Sequence, residues 1–150
     1  MLRTTLLATA LALCLPSFAS AQSARDVMRD FGILGTWATD CSKPSGASNF
    51  YTIYAGMPDG QVRRTYYNTP DRKKAYNEYI VRRAIRLPAD MISYVQEGSV
   101  DHDRIDVILL KDGSKYKIWS SVRDSGETLV KDGKFPGSGD ESPWQTRCHD

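Results

Sequence analysis

Turn-forming residues recur along this chain at short, even intervals, and that spacing leaves no room for long helices. Met57-Pro58-Asp59-Gly60, Asn68-Thr69-Pro70-Asp71, Leu87-Pro88-Ala89-Asp90, Asp112-Gly113, Asp124-Ser125-Gly126 and Asp132-Gly133 all read as turns. Asp-Gly between apolar runs is a strong hairpin signal, because both turn positions favour a positive φ. The runs between the turns are short and rich in Tyr, Ile, Val and Thr. They predict strands near 35–40, 49–55, 61–67, 76–87, 91–97, 104–111, 115–122, 127–131 and 143–148. Many short strands with regular turns mean a sandwich or a barrel. No helical pattern alternates with them, so a parallel α/β sheet is excluded.

The stretch 76–87 is the one ambiguous period. A helix there would gather Tyr76, Tyr79, Ile80, Arg83 and Leu87. A strand puts Tyr79, Val81, Arg83, Ile85 and Leu87 on one face and Glu78, Ile80, Arg82, Ala84 and Arg86 on the other. The strand separates polar from apolar better, and Leu87-Pro88 ends it in extended geometry. Ahead of the strands, Ser23 reads as an N-cap, Val27, Met28 and Phe31 fall at helical spacing, and Gly32 stops the helix.

The first 21 residues have a different character. Arg3 precedes an apolar run from Thr4 to Leu15, Pro16 breaks it, and Ala19-Ser20-Ala21 is a small-x-small cleavage site before Gln22. This is the pattern of a bacterial secretory signal peptide, too short for a permanent span of about 20 residues. Leu13 before Cys14 argues against a lipoprotein site. The expected organisation is therefore a cleaved signal at 1–21, a helical lead-in at 22–34 and a barrel domain at 35–150, in a periplasmic or secreted protein. Removing 21 of the 150 residues leaves 129 with two cysteines, Cys41 and Cys148. In an oxidising compartment a disulfide is the default for such a pair; free redox thiols are the alternative, without a C-x-x-C motif to support them.

Gly35-Thr36-Trp37 opens the first strand after a short helix, and Arg147 lies on the last strand with Trp144. This resembles the G-x-W start of lipocalin-like (calycin) barrels. The resemblance implies a closed barrel with Trp37 sealing one end beside Arg147. The same opening is similar to that of small periplasmic metalloprotease inhibitors. With Asp40-Cys41-Ser42 and Trp144-x-x-Arg147-Cys148, the chain also resembles exported proteobacterial proteins of no known activity. Cys41 and Cys148 each lie four residues after a tryptophan. If the first and last of nine up-and-down strands ran parallel side by side, one register would place Cys41 on Cys148 and Trp37 beside Trp144.

Few residue patterns carry chemistry. Arg83 interrupts the apolar face of 76–87, and a buried guanidinium must be paired. Inside a barrel it would hold the carboxylate or phosphate of a small amphipathic ligand; the plainer alternative is an edge arginine paired to a protein carboxylate. Tyr51, Ile53, Tyr66, Tyr94, Tyr116, Ile118 and Trp119 would line such a cavity, or simply form the core. Residues 63–86 hold eight Lys or Arg against Asp71 and Glu78. Since total Lys plus Arg is 20 against 18 acidic residues, this cluster is local and not a global excess. In an exported protein it suits anionic lipid, lipopolysaccharide or an acidic partner rather than nucleic acid, unless it is only a solvated face.

Asp101-His102-Asp103 reads as a polar turn; a metal site needs three or four converging ligands, and His149 is the only other histidine. No G-x-S-x-G and no glycine-rich phosphate loop is present. The expectation is a small antiparallel barrel of about eight or nine strands with a short N-terminal helix and one disulfide. Its expected function is binding a small amphipathic ligand in the cell envelope, without cofactor, catalysis or stable membrane insertion. The alternative is a protein-interaction module, such as an inhibitor or envelope assembly component, with an external site.

Overall fold

In the computed structural model, which describes residues 22–149, a helix and nine strands follow one another in the expected order. The helix α1 is Ala24–Phe31. The strands are β1 (Gly35–Ala38), β2 (Tyr51–Gly56), β3 (Val62–Tyr67), β4 (Asn77–Leu87), β5 (Met91–Gly98), β6 (Arg104–Asp112), β7 (Lys115–Arg123), β8 (Thr128–Val130) and β9 (Gln145–Cys148). Residues 77–87 are a strand, as the polar–apolar separation predicts. The expected signal peptide, 1–21, lies outside the described residues. Among the described residues no helix is long and apolar enough to cross a membrane.

The strands form one antiparallel sheet that closes on itself through the β6–β7 pairing. The wall has eight staves. β8 and β9 share the same edge of β7, at opposite ends of it, so both run in one direction as a single interrupted stave. Residues 131–144 form the excursion between them. This count corrects the expected closure. Eight alternating staves close antiparallel, so Trp37 is paired with Arg147, not Trp144. Trp144 sits instead on the outside of β7, its ring 5.1 Å from the Lys117 Nζ.

The helix closes one end. Ser23 caps it by accepting the Asp26 N–H, and Gly32 ends it at φ 78°, which a glycine reaches without strain. Val27, Met28, Phe31 and Ile33 are buried against the barrel bottom. Lys111 Nζ donates to the Phe31 carbonyl at 2.8 Å, and Arg86 lies 4.7 Å from the Phe31 ring centre. The Trp37 indole N–H donates to the Ile33 carbonyl at 2.7 Å, and Arg147 covers the Trp37 ring at 5.8 Å while donating to the Leu34 carbonyl. Gly35, at φ 126°, leaves the space through which Arg147 passes; a Cβ there would stand 3.3 Å from its Nη2. A disulfide joins Cys41 and Cys148 across 107 residues of chain and ties the loop after β1 back against the last strand.

Candidate functional site

Above this sealed floor the barrel core is aromatic. Along β3 the side chains alternate, and Val62, Arg64 and Tyr66 point inward. Beside them β2 contributes Thr52 and Tyr54, and β5, on the far side of β4, contributes Ile92, Tyr94 and Gln96. Tyr54 and Tyr94 share a hydroxyl–hydroxyl hydrogen bond of 3.2 Å, and Tyr116 packs edge-on against Trp37 and Tyr54 at 4.9 and 6.1 Å. These rings fill the lower half of the barrel.

The upper half is open. A cavity of about 350 Å³ is enclosed by every stave except β1. Its walls are mostly apolar or aromatic: Tyr66, Tyr79, Ile105, Ile118, Leu129 and Val130. Phe50, Tyr76 and Phe135 form its rim. The 131–144 excursion supplies Phe135, Ser142 and Pro143, so the interruption of the last stave widens the barrel on that side. Lys117 holds the excursion in place, stacked under Trp144 and 3.5 Å from Glu141.

Arg64 is the polar floor of this cavity. It is only 2% exposed. Its Nη1 donates to Gln96 Oε1 at 2.8 Å, and its guanidinium lies 4.6, 5.2 and 5.9 Å from the ring centres of Tyr66, Tyr54 and Tyr94. Among the described residues no carboxylate pairs with it, and its Nε has no hydrogen-bond partner. Gln145 Oε1, on another lining residue, is likewise buried without a partner. A desolvated cation costs several kcal/mol. Cation–π contacts return about 0.5–2 kcal/mol each and a hydrogen bond to a neutral amide about 1 kcal/mol, which leaves the charge under-compensated. Burial pushes the hydroxyls of Tyr54, Tyr66, Tyr94 and Tyr116 above the usual tyrosine range, partly offset by the nearby Arg64 charge. They are therefore neutral at pH 7 and do not supply the missing negative charge.

The structure turns Arg83, the residue the sequence suggested, away from the interior and puts Arg64 inside instead. Val81 pairs with Gln96 and Arg83 with Val95, so Arg82 is an extra residue, a β-bulge in β4. The bulge reverses which face follows it: Val81 and Ala84 are buried, while Arg83 is exposed on the outer wall. Arg83 there lines a separate groove of about 260 Å³ with Arg82, Glu97 and Arg104. The signal for Arg64 was present in the alternation Val62-x-Arg64-x-Tyr66 but is masked by the Arg63-Arg64 doublet, which reads as part of a solvated basic run.

The expected lining residues divide in the same way. Tyr66, Tyr116 and Ile118 line the cavity, and Tyr94 is buried beneath it. Tyr51 and Ile53 lie on the other face of β2. Tyr51 is covered by the loop after β1, donating to the carbonyls of Cys41 and Lys43. Trp119 is the extra residue of a bulge in β7, between the pairs Leu109–Ile118 and Ile108–Ser120, and packs outside against Gly133.

His102 contacts Glu97 at 3.2 Å and Asp103 pairs with Arg123 at 3.0 Å. Among the described residues no group of three or more His, Cys, Asp or Glu is arranged to hold a metal ion. No family model, curated protein or solved structure matches the chain.

Proposed function

We propose that this protein is an exported, lipocalin-like binding module for small amphipathic anions, and not an enzyme. The ligand enters head-first, its carboxylate meets the Arg64 guanidinium, and its apolar body lies along Tyr66, Tyr79, Ile105, Ile118 and Leu129. The observation that carries this reading is a buried arginine without a carboxylate partner at the base of an open apolar cavity. An incoming anion supplies the charge that the chain withholds, in a site where water screens little. The cavity volume lies at the lower end of the range for small-molecule pockets, about 300–1,000 Å³, which favours a compact ligand over a long-chain lipid. The Cys41–Cys148 bridge supports an oxidising compartment, as does the signal-like composition of 1–21.

Displacement of a fluorescent aromatic sulfonate from the purified protein tests the reading. Medium-chain carboxylates are expected to compete at least tenfold better than alcohols of the same length, because a charge-assisted hydrogen bond contributes about 1.5–3 kcal/mol. Equal competition by acid and alcohol, or by neither, would overturn it. Native mass spectrometry of protein taken from its own compartment then identifies the resident molecule.

A further inference from the structure

We propose that the open end of the barrel docks on anionic phospholipid bilayers, with the cavity mouth facing the lipid. The large apolar side chains most exposed to solvent are Tyr76 at 64%, Ile85 at 55%, Val100 at 92% and Phe135 at 39%. All but Ile85 stand at the open end. Tyr76 and Phe135 are on the rim itself. Val100 is at the tip of the neighbouring β5–β6 turn, held beside β4 by the Ser99 N–H donating to the Glu78 carbonyl at 3.0 Å. Side chains of this kind on loop tips are suited to the bilayer interface, where an aromatic ring keeps one edge wet.

The β3–β4 loop at this end carries the matching sign, three cations against Asp71. Arg72, Lys73 and Lys74 occupy the β3–β4 loop before Tyr76 and all three are exposed; Arg72 stacks on the Tyr51 ring at 5.0 Å, and Lys73 and Lys74 make no ion pair among the described residues. Three of the nearby carboxylates make local contacts. Asp71 accepts from Thr69 and from the Lys73 N–H, Asp101 accepts the Asp103 N–H, and Asp103 pairs with Arg123. Of the basic stretch 63–86, only this loop reaches the mouth; Arg63 and Arg82 pair with Glu78 and Glu97 on the outer wall, and Arg86 stacks at the helix end. The two lysines beside the apolar tips fit an anionic surface better than an acidic protein, which offers the tips no hydrocarbon to enter.

Co-sedimentation with phosphatidylcholine vesicles, with and without phosphatidylglycerol, tests the proposal. Binding is expected only with phosphatidylglycerol and should weaken as salt rises. Each lysine near an anionic surface contributes about 1 kcal/mol, so Lys73→Glu with Lys74→Glu should lower binding at least tenfold. Val100→Ser, which touches neither cavity nor core, should lower it severalfold. No binding to phosphatidylglycerol vesicles overturns the proposal, as does binding that the lysine pair does not affect. Capture by soluble polyglutamate as strong as by vesicles, with no Val100 effect, overturns it in favour of an acidic protein partner. The ligand reading fails separately: an Arg64 variant should lose carboxylate binding and keep vesicle binding.

Discussion

Arg64 and Gln96 face each other across the inside of the barrel, the guanidinium donating to the amide oxygen at 2.8 Å with both side chains buried. A neutral acceptor orients the arginine without neutralising it. The site is thereby left with a fixed direction and an unspent positive charge, the combination that an anion-binding pocket requires.

Arg64→Met follows directly. It removes the charge and keeps much of the volume. It relieves a desolvation cost of several kcal/mol, which offsets the penalty of about 1–3 kcal/mol for leaving the buried Gln96 Oε1 without its donor. The ligand-free variant should therefore melt at or above the parent temperature by circular dichroism, while carboxylate affinity falls at least tenfold by calorimetry. A large loss of stability with affinity intact would mean that the arginine serves the fold alone.

Gln96→Glu places a carboxylate where the neutral amide now stands. The new side chain pairs with Arg64 and competes with any incoming anion. Carboxylate affinity should fall about as far as in Arg64→Met, whereas affinity for a neutral alcohol of the same length should change less than threefold in the same displacement assay.

Arg83→Ala discriminates between the two candidate anchors. The bulge at Arg82 turns Arg83 outward. Carboxylate affinity and melting temperature should both stay near the parent values. A tenfold loss of affinity would place the ligand on the outer wall.

Alkaline pH should unfold the barrel. Burial raises the hydroxyls of Tyr54, Tyr66, Tyr94 and Tyr116 above their unfolded value near pH 10. The folded state then holds protons that the unfolded chain releases, so stability is intact below about pH 10 and declines as pH rises beyond it. Tyrosinate absorbance should include a component that appears together with loss of the circular dichroism signal. Tyr54→Phe should diminish that component.

Cys41→Ser tests the latch. The bridge spans 107 residues, and a loop of roughly that length is worth up to about 4.7 kcal/mol in the chain-entropy view, with measured values often nearer 2–4. The urea midpoint of the variant should fall under oxidising conditions, and a reductant should bring the parent protein down to the same value.

The helix and all nine strands were legible because each rests on local chemistry, and the cysteine partnership because only two cysteines remain once 1–21 is set aside. Ser23 and Gly32 mark the helix ends, Asp-Gly pairs mark turns, and β-branched and aromatic runs mark strands. Arg147 beside Trp37 was legible only through a resemblance, and the expected neighbour Trp144 was misplaced because β8 and β9 were counted as separate staves.

What reached beyond the local chain was phase and closure. Alternation tells which residues share a face, but one unpaired residue inverts every face that follows it, and Arg82 and Trp119 are visible as extra residues only against their partner strands. On β2, where Tyr51 and Ile53 alternate with Thr52 and Tyr54, both faces are suited to burial, and the register with β3 selects the inner one. Secondary structure and the barrel class follow from short-range sterics and hydrophobic period. The choice of Arg64 over Arg83 follows from strand pairing through space, which no single segment encodes.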